Sequence, residues 1–353
     1  MNIIQILKDT IKGNTYEIDC EVITPLAMGN ANKKAEYKEA ELREQSINGV
    51  LRWFFRVAGG SKENEQKLFG TVLDESKKGL VKLKVISENI MELSSKQFIN
   101  ILNRKQGFSY LGFSFRMNKQ NFINSGYKFK IIISFNPLAS KEYKEMFFAT
   151  LWLAFNLGNF GSRSRRGFGA IQINSITHNN QKINQLFSLD FIKNFDNNQQ
   201  NNNQKISQYY KNNLEKIKHI FNNNKKINGI PIIFDNFHIY LFSKTNYNDY
   251  VSILDEIGSI YKNYRIGLKR KGEGRKRYIF GLPLRNFDMR NRRASLLIFK
   301  PIKFNNSYSL LIIKILPTDK RSFIFHNNIK VDNSDYNYIR DFAKDELIKI
   351  YEP

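Results

Sequence analysis

The chain has little cysteine and little histidine. Cys20 is its single cysteine among 353 residues, so a disulfide within the chain and a cysteine-based zinc site are excluded. The histidines, His178, His219, His238 and His326, lie far apart and form no ligand-spaced pair. Neither a Cys/His pairing nor a Gly-x-Ser-x-Gly elbow indicates a nucleophile. The sequence therefore predicts no metal, no cofactor and no enzymatic activity.

Long apolar runs and a secretion signal are also missing. The longest apolar stretch, MFFATLWLAFNLGNF, runs from Met146 to Phe160 and contains Asn156 and Asn159. It is too short to cross a membrane and predicts a buried helix. The N-terminal MNIIQILKDTIKGN lacks a basic region followed by a small-residue cleavage site. A cytoplasmic protein without membrane contact is expected.

Acidic residues are the minority charge. The chain has 32 Asp and Glu against 56 Lys and Arg, a net charge of +24. Such an excess favours a polyanionic partner, with nucleic acid ahead of an anionic membrane. A Lys- and Asn-rich composition is also typical of an AT-rich genome, and for the charge alone that interpretation stays open.

Apolar periodicity predicts an α+β chain of two domains, each with a ferredoxin-like (RRM-like) core. In the first domain, residues 14–193, strands and helices alternate as strand, helix, two strands, helix, strand. Residues 194–229 are rich in Asn and Gln and predict a mobile insert or linker, with one short helix at NLEKIKHIF. The second domain, residues 230–353, repeats the order strand, helix, two strands, helix.

Three basic elements are candidate nucleic-acid contacts. The first is the helix SINGVLRWFFRVA, which Ser46 is expected to cap. Its apolar residues recur at helical spacing, while Asn48, Arg52 and Arg56 form one stripe on another face. Arginines and an amide on one helix face suit phosphate or sugar contacts. A simply solvated helix face is the alternative.

The second element is the Gly–Arg loop, GNFGSRSRRGFGA, which leads into a strand. Its glycines let backbone N–H groups approach an anion, its hydroxyls donate, and its guanidinium groups bind phosphate bidentately. The loop is expected to be mobile without its polyanionic ligand; a turn with exposed arginines is the alternative. It is not a P-loop, since no Gly-Lys-Ser/Thr opens a helix. The candidate residues are Gly161, Ser162, Arg163, Ser164, Arg165, Arg166 and Gly167.

The third element runs from residue 262 to 293, with KRKGEGRKRY at its centre as a predicted exposed loop. Lys and Arg far outnumber its two acids, Glu273 and Asp288. No adjacent apolar helix face or lipidation signal supports membrane binding. A simply solvated loop is the alternative to nucleic-acid contact. The candidate residues here are Lys269, Arg270, Arg275, Arg277, Arg292 and Arg293.

Taken in order, several motifs resemble one family. ITPLAMGNANKKAE, AELREQSINGVLRWFFR and LFG are followed by GNFGSRSRRGFG, FGLPLRN, RRASLL and ILP. This series is similar to the first-subunit family of the Cmr complex, the type III-B CRISPR effector, within the RAMP superfamily. The resemblance extends from Ile23 to Pro317 and implies RAMP domains of ferredoxin-like fold.

The resemblance also implies a function. A protein of this family is a non-catalytic subunit of an RNA-guided complex that cleaves target RNA, near the guide's 3′ region. Its partners are guide or target RNA and other Cmr subunits. The motifs imply RNA contacts at Ser46, Gly49, Arg52, Arg56 and Gly161–Gly169.

Two residues depart from the family pattern. Asn48 stands where Lys is common, which weakens an expected phosphate contact, and Leu296 stands where Pro is common. Two other functions stay open. A metal-independent endoribonuclease that processes guide RNA would need a positioned histidine, and none lies in the motifs. A free-standing RNA chaperone would not need all of the motifs.

Overall fold

The chain folds into helices and antiparallel strands. The structure, a computed structural model, describes residues 13–29, 39–71, 77–117, 120–183, 199–221, 231–244, 247–281, 294–304, 307–316 and 333–353. The strands of these residues, β1 to β11 in order, are Thr15–Val22, Val81–Ile86, Glu92–Leu93, Phe122–Ile123, Lys128–Phe135, Ile171–His178, Gln181–Lys182, Phe237–Phe242, Leu297–Phe304, Ser307–Ile315 and Leu347–Tyr351. The α-helices, α1 to α9 in order, are Glu44–Val57, Lys62–Phe69, Ser95–Asn103, Gln106–Leu111, Lys141–Leu157, Gln199–Phe221, Ile233–Asn236, Tyr250–Arg270 and Asn337–Asp341. The fold class is α+β, as predicted.

Two larger sheets organise these elements. The first has the strand order β2-β5-β1-β6-β7 and the second has the order β11-β8-β10-β9. Neighbouring strands are antiparallel throughout. In β1 the buried residues Ile18, Cys20 and Val22 alternate with more exposed neighbours, which is the pattern of a strand with one face on the core.

Helix α1 buries the apolar face that the sequence predicts, including Ile47, Leu51 and Phe54. Its start differs from the prediction. The helix begins at Glu44, Arg43 occupies the N-cap without a side-chain hydrogen bond, and Ser46 lies inside the first turn. Ser46 is therefore not the capping residue, because the backbone turns helical two residues earlier.

Helix α5 lies between the two sheets. Its residues from Met146 to Leu157 are buried except for the half-buried Asn156. A helix that is apolar on all sides needs cover on all sides. Helix α5 contacts α1 and β6 of the first half of the chain and α6 and β9 of the second half. The predicted buried helix is thus the shared centre of both halves.

Helix α6 forms within the Asn- and Gln-rich segment. Its buried side chains recur at helical spacing along one face: Ile206, Tyr210, Leu214, Ile217 and Phe221. Trp152 Nε1 on α5 donates a hydrogen bond of 2.9 Å to the hydroxyl of Tyr209. Residues 199–221 therefore differ from the expected mobile insert: they form one long packed helix, because the few apolar residues fall on a single face.

A close crossing of α4 and α8 joins the two halves. Asp255 Oδ1 on α8 accepts hydrogen bonds from the backbone N–H groups of Gly107 (2.8 Å) and Phe108 (3.1 Å) at the start of α4. A Cβ atom on Gly258 would lie 2.2 Å from the carbonyl oxygen of Gly107. The two backbones touch, so the spacing of these helices is fixed.

Candidate nucleic-acid interface

The Gly–Arg loop is tied down along its backbone. The N–H of Ser162 donates to the carbonyl of Ala27 (2.9 Å), and the N–H of Gly169 donates to that of Pro25 (3.1 Å). Gly169 has φ +71°, and a Cβ atom there would lie 1.9 Å from the carbonyl oxygen of Phe160. The glycines thus allow backbone segments to pack closely. This differs from the expected mobile loop, because neighbouring chain segments bind the loop's own N–H groups.

Arg166 is buried in the junction between the halves. One guanidinium nitrogen donates to Ser295 Oγ (2.9 Å) and another donates to the carbonyl of Phe280. The guanidinium carbon lies 4.6 Å from the centre of the Tyr261 ring. Burial disfavours the charged form and lowers the pKa of Arg166. None of the partners Ser295, Phe280 and Tyr261 is a carboxylate that would offset this effect. For Arg166, the alternative prediction of a turn with exposed arginines is wrong, because a carbonyl and a hydroxyl oxygen accept hydrogen bonds from its buried guanidinium group.

Arg163 and Arg165 fasten the loop to other elements. Arg163 Nε donates to the carbonyl of Leu111 at the end of α4 (2.8 Å). Burial, and then the nearby charge of Arg166, lowers the pKa of Arg163 to about 10. Arg165 donates to the carbonyl of Ser295, and its guanidinium carbon lies 5.3 Å from the centre of the Trp53 ring on α1. Both side chains are half-buried and held in fixed directions.

These arginines form one side of a groove of about 680 Å³ between the two halves of the chain. Arg265 on α8 lies beside them, with its guanidinium carbon 5.9 Å from the ring centre of Tyr110 and 5.3 Å from that of Tyr261. The described lining residues are Tyr110, Phe113, Arg163, Ser164, Arg165, Arg166, Tyr261, Arg265, Phe280, Gly281, Ala294 and Ser295. None of them is acidic. We call this the arginine groove.

The arginine stripe of α1 has a different environment. Arg52 donates to Glu65 Oε1 (3.1 Å) and to the carbonyls of Phe69 (2.8 Å) and Gly70 (2.7 Å). Arg56 binds both oxygens of Glu65 at 2.7 Å. Burial by itself raises the pKa of Glu65. The hydrogen bonds from Arg56 and Arg52 lower it by more, so the pKa is below the usual value for a glutamate. Arg52 and Arg56 of the stripe therefore bind α2, so the alternative of a simply solvated helix face is wrong for these two residues.

Replacing Glu65 with glutamine should lower the free energy of unfolding by about 1.5–3 kcal/mol at pH 7, because charge-assisted hydrogen bonds to both arginines are lost. Since the pKa of Glu65 is depressed in the folded chain, its contribution is present above the ordinary carboxyl pKa and is lost as the pH falls through the folded value. Urea unfolding at pH 7 and pH 3 measures both effects. Equal stability of variant and parent at pH 7 would contradict a stabilising role for the ion pairs of Glu65 with Arg52 and Arg56.

The other predicted site residues that the structure describes are not part of the groove lining. Ser46, Asn48 and Gly49 are on α1, where Gly49 is exposed and the other two are half-buried. Lys269 and Arg270 are exposed in the last turn of α8.

The predicted central loop of the basic tract is helical instead. It consists of the end of α8, a short turn at residues 271–273 and a 3-10 helix, Gly274–Phe280, because α8 continues to Arg270. Arg275 and Arg277 belong to that turn, and Arg277 Nε donates to the carbonyl of Gly274 (2.8 Å). Arg292 and Arg293 lie outside the described residues.

Sequence reasoning missed several lining residues. Arg265 lies in the basic tract but was not distinguished from its neighbours, and Tyr110, Phe113 and Tyr261 carry no motif. The approach of α4 to α8 brings them together, and no local pattern encodes that approach. Within the described ranges, no helix has the length and apolarity that a bilayer crossing needs.

Comparison with known proteins shows what this chain is similar to. Residues 19–172, which include most of the first sheet and the Gly–Arg loop, match the family described as the RAMP superfamily. The chain is 28% identical over 183 residues to the CRISPR system Cmr subunit Cmr1-2 of Pyrococcus furiosus, covering 44% of this chain and 92% of that protein. It is 25% identical over 334 residues to Cmr1-1 of the same organism, covering 86% and 87%. Over residues 19–172, this chain is thus similar to proteins of the RAMP superfamily.

Solved structures share the fold. The crystal structure of apo Cmr1 from Pyrococcus furiosus has a TM-score of 0.62 and 21% identity over 96% of this chain and 98% of that one. A chain of the type III-B Cmr-beta complex bound to cognate target RNA and AMPPnP has a TM-score of 0.61 and 17% identity, covering 94% and 99%. Together with the sequence relatives, these confirm the predicted resemblance to the first-subunit family of the Cmr complex.

Proposed function

We propose that this chain is a non-catalytic RNA-binding subunit of a type III-B Cmr complex, an RNA-guided complex that targets RNA. In this proposal it contacts guide RNA near its 3′ region, target RNA, or both, and assembles with other Cmr subunits. The names of its sequence relatives support the assembly. The observation that carries RNA binding is the arginine groove, in which Arg163, Arg165, Arg166 and Arg265 converge and none of the described lining residues is acidic.

The electrostatics of the groove favour an anion. Burial lowers the pKa of both Arg163 and Arg166, and a neighbouring positive charge lowers each further: that of Arg166 acts on Arg163, and that of Arg265 acts on Arg166. A phosphate group would relieve this repulsion and add charge-assisted hydrogen bonds. Backbone carbonyls already fix the directions of these guanidinium groups, so little side-chain entropy remains to be lost on binding. Phosphate contacts of this kind make affinity strongly salt-dependent.

The positions of the histidines support binding without cleavage. His178 stacks on Tyr16, and its Nδ1 lies 2.9 Å from the carbonyl of Thr15. His238 lies on β8, an inner strand of the second sheet, with its Nδ1 3.8 Å from Glu352 Oε1. No histidine is among the described residues of the groove lining. A general base of the kind that a guide-processing enzyme needs is thus not part of that lining.

We further propose that both sheets are cores of ferredoxin-like domains, with boundaries at 14–193 and 230–353. The strand order β2-β5-β1-β6 supports this for the first domain, since it places β5 between the parallel strands β1 and β2. The order β11-β8-β10-β9 supports it for the second by the same rule. The split of a β-α-β unit by a third strand is characteristic of this fold.

A negative charge in the groove should weaken RNA binding. Ser164 is half-buried in the lining, between the fixed arginines, so Ser164→Glu adds a carboxylate while leaving the arginines in place. The affinity for single-stranded RNA should fall about tenfold, or about 1.4 kcal/mol. Fluorescence anisotropy across a salt series measures this, and the salt slope of the variant should be shallower.

Lys82→Gln is the matched control, because it changes the net charge equally at an exposed position on the edge strand β2. Its RNA affinity should stay close to that of the parent. Equal loss in both variants would mean that only overall charge matters, and wild-type affinity of Ser164→Glu would place RNA elsewhere. A parent affinity that does not depend on salt would contradict RNA binding through phosphate contacts.

A further inference from the structure

One aromatic side chain at the arginine groove faces solvent. Phe113 is 58% exposed and lines the groove, whereas Phe108 and Phe115, its nearest phenylalanines in the chain, are buried. Exposing a large aromatic ring to water costs hydrophobic free energy. The position of the Phe113 ring in a groove therefore indicates that a bound molecule packs against its face. Phe113 is therefore unlike the core phenylalanines of this chain.

The backbone under Phe113 is anchored. Phe113 begins the 3-10 helix Phe113–Met117, whose central residue Phe115 packs in the core with ring-centre distances of 5.0 Å to Phe122 and 5.1 Å to Phe168. Arg116 in the same turn donates to Asn103 Oδ1 (2.8 Å) and to Ser109 Oγ (2.6 Å). These contacts hold the turn on both sides, so the ring of Phe113 is presented from a fixed support.

The same groove carries the arginines. Leu111 ends α4 two residues before Phe113, and its carbonyl accepts the hydrogen bond from Arg163. An aromatic ring on an anchored turn and a guanidinium group held by Leu111 thus lie next to the same short stretch of backbone. The volume of about 680 Å³ is within the range of small-ligand sites and suits a nucleotide-sized group.

We propose that the arginine groove holds an unpaired nucleotide of single-stranded RNA, with its phosphate at Arg163, Arg165 and Arg265 and its base stacked on Phe113. This inference rests on the proposed RNA-binding function. Stacking needs a free base face, which a duplex does not offer, so the groove selects single strands. A phenylalanine ring forms no hydrogen bond with base edges, so the contact tolerates every base.

The test compares Phe113→Ala with Phe113→Trp in the full-length chain. The probes are fluorescein-labelled oligo(U), an abasic oligomer of the same length, and an RNA duplex. Phe113→Ala should lose about tenfold or more in affinity for oligo(U), since one stacked base is lost. Phe113→Trp should retain the parent affinity. The salt slope should be unchanged, because the phosphate contacts remain.

Two internal controls separate stacking from other effects. Parent and Phe113→Ala should bind the abasic oligomer equally, and both should bind the duplex more weakly than the parent binds oligo(U). Met117→Ala, at a 78% exposed position in the same turn, should behave as the parent. Wild-type binding of oligo(U) by Phe113→Ala, or an equal loss on the abasic oligomer, overturns the stacking proposal. Absence of salt-dependent binding by the parent overturns the proposed function itself.

Discussion

Substitution of Gly258 by alanine is expected to lower the free energy of unfolding by about 3 kcal/mol, a large effect for one methyl group. The new Cβ would lie 2.2 Å from the carbonyl oxygen of Gly107. That atom belongs to the backbone of α4 and cannot rotate away, so the two helices must separate. The separation also strains the hydrogen bonds from Gly107 and Phe108 to Asp255. Urea unfolding at pH 7 measures the loss.

Gly267→Ala provides a control on the same helix. A Cβ there meets nothing within 4 Å, so the substitution should raise the free energy of unfolding by about 0.5–1 kcal/mol through helix propensity. Because α4 and α8 carry Tyr110 and Arg265 on the walls of the arginine groove, Gly258→Ala should also weaken RNA binding. Two alanine variants of equal stability would show that the helices do not touch at Gly107.

Replacement of Lys300 by methionine is expected to stabilise the protein by about 2–4 kcal/mol at pH 6. Lys300 is 2% exposed on β9, and its ammonium group donates to the carbonyl of Ile171 (3.2 Å). Burial lowers its pKa to about 7, well below the ordinary lysine value. Methionine has a similar shape and carries no charge, so it removes the cost of a buried ammonium group.

The sign of the pH dependence follows from the lowered pKa. Below pH 7 both folded and unfolded chains hold the proton, and the folded chain bears the full cost. Between pH 7 and the ordinary lysine pKa only the unfolded chain is protonated, so parental stability rises by about 1.4 kcal/mol per pH unit from this group. The advantage of Lys300→Met should therefore shrink as the pH rises.

Urea unfolding from pH 6 to pH 9 measures this trend. Lys314 provides the comparison: it is equally buried, but its ammonium group donates to two carbonyls, of Arg340 and Phe342, both at 2.7 Å. Lys314→Met should stabilise less, because two carbonyls lose their donor. A constant difference between Lys300→Met and the parent across the pH range would contradict a titrating buried lysine.

The core of the fold was predictable because apolar spacing reports burial directly. MFFATLWLAFNL is apolar at nearly every position, and only a helix covered on all sides accommodates that pattern. Buried residues likewise alternate along β1, as in a strand with one face on the core. The Asn- and Gln-rich segment misled the interpretation, since its average composition concealed apolar residues on one face of α6.

The sequence indicated which arginines matter, but it did not indicate what they bind within the protein. Charge and glycine content drew attention to Arg163, Arg165 and Arg166, yet their hydrogen-bond acceptors are mostly backbone carbonyls. Every residue has a carbonyl, so no sequence pattern marks these acceptors. The same limit applies to Arg52 and Arg56, whose partner Glu65 was one of many acids in the chain.

The position of α5 between the two sheets bears on how the protein is made. A ribosome finishes α5 and the first sheet well before it reaches β8, the first strand of the second sheet. During that interval the side of α5 destined for β9 has no cover from its own chain. The nascent protein therefore exposes an apolar helix surface until its C-terminal half is synthesised, and a holding chaperone that covers this surface would protect it from aggregation.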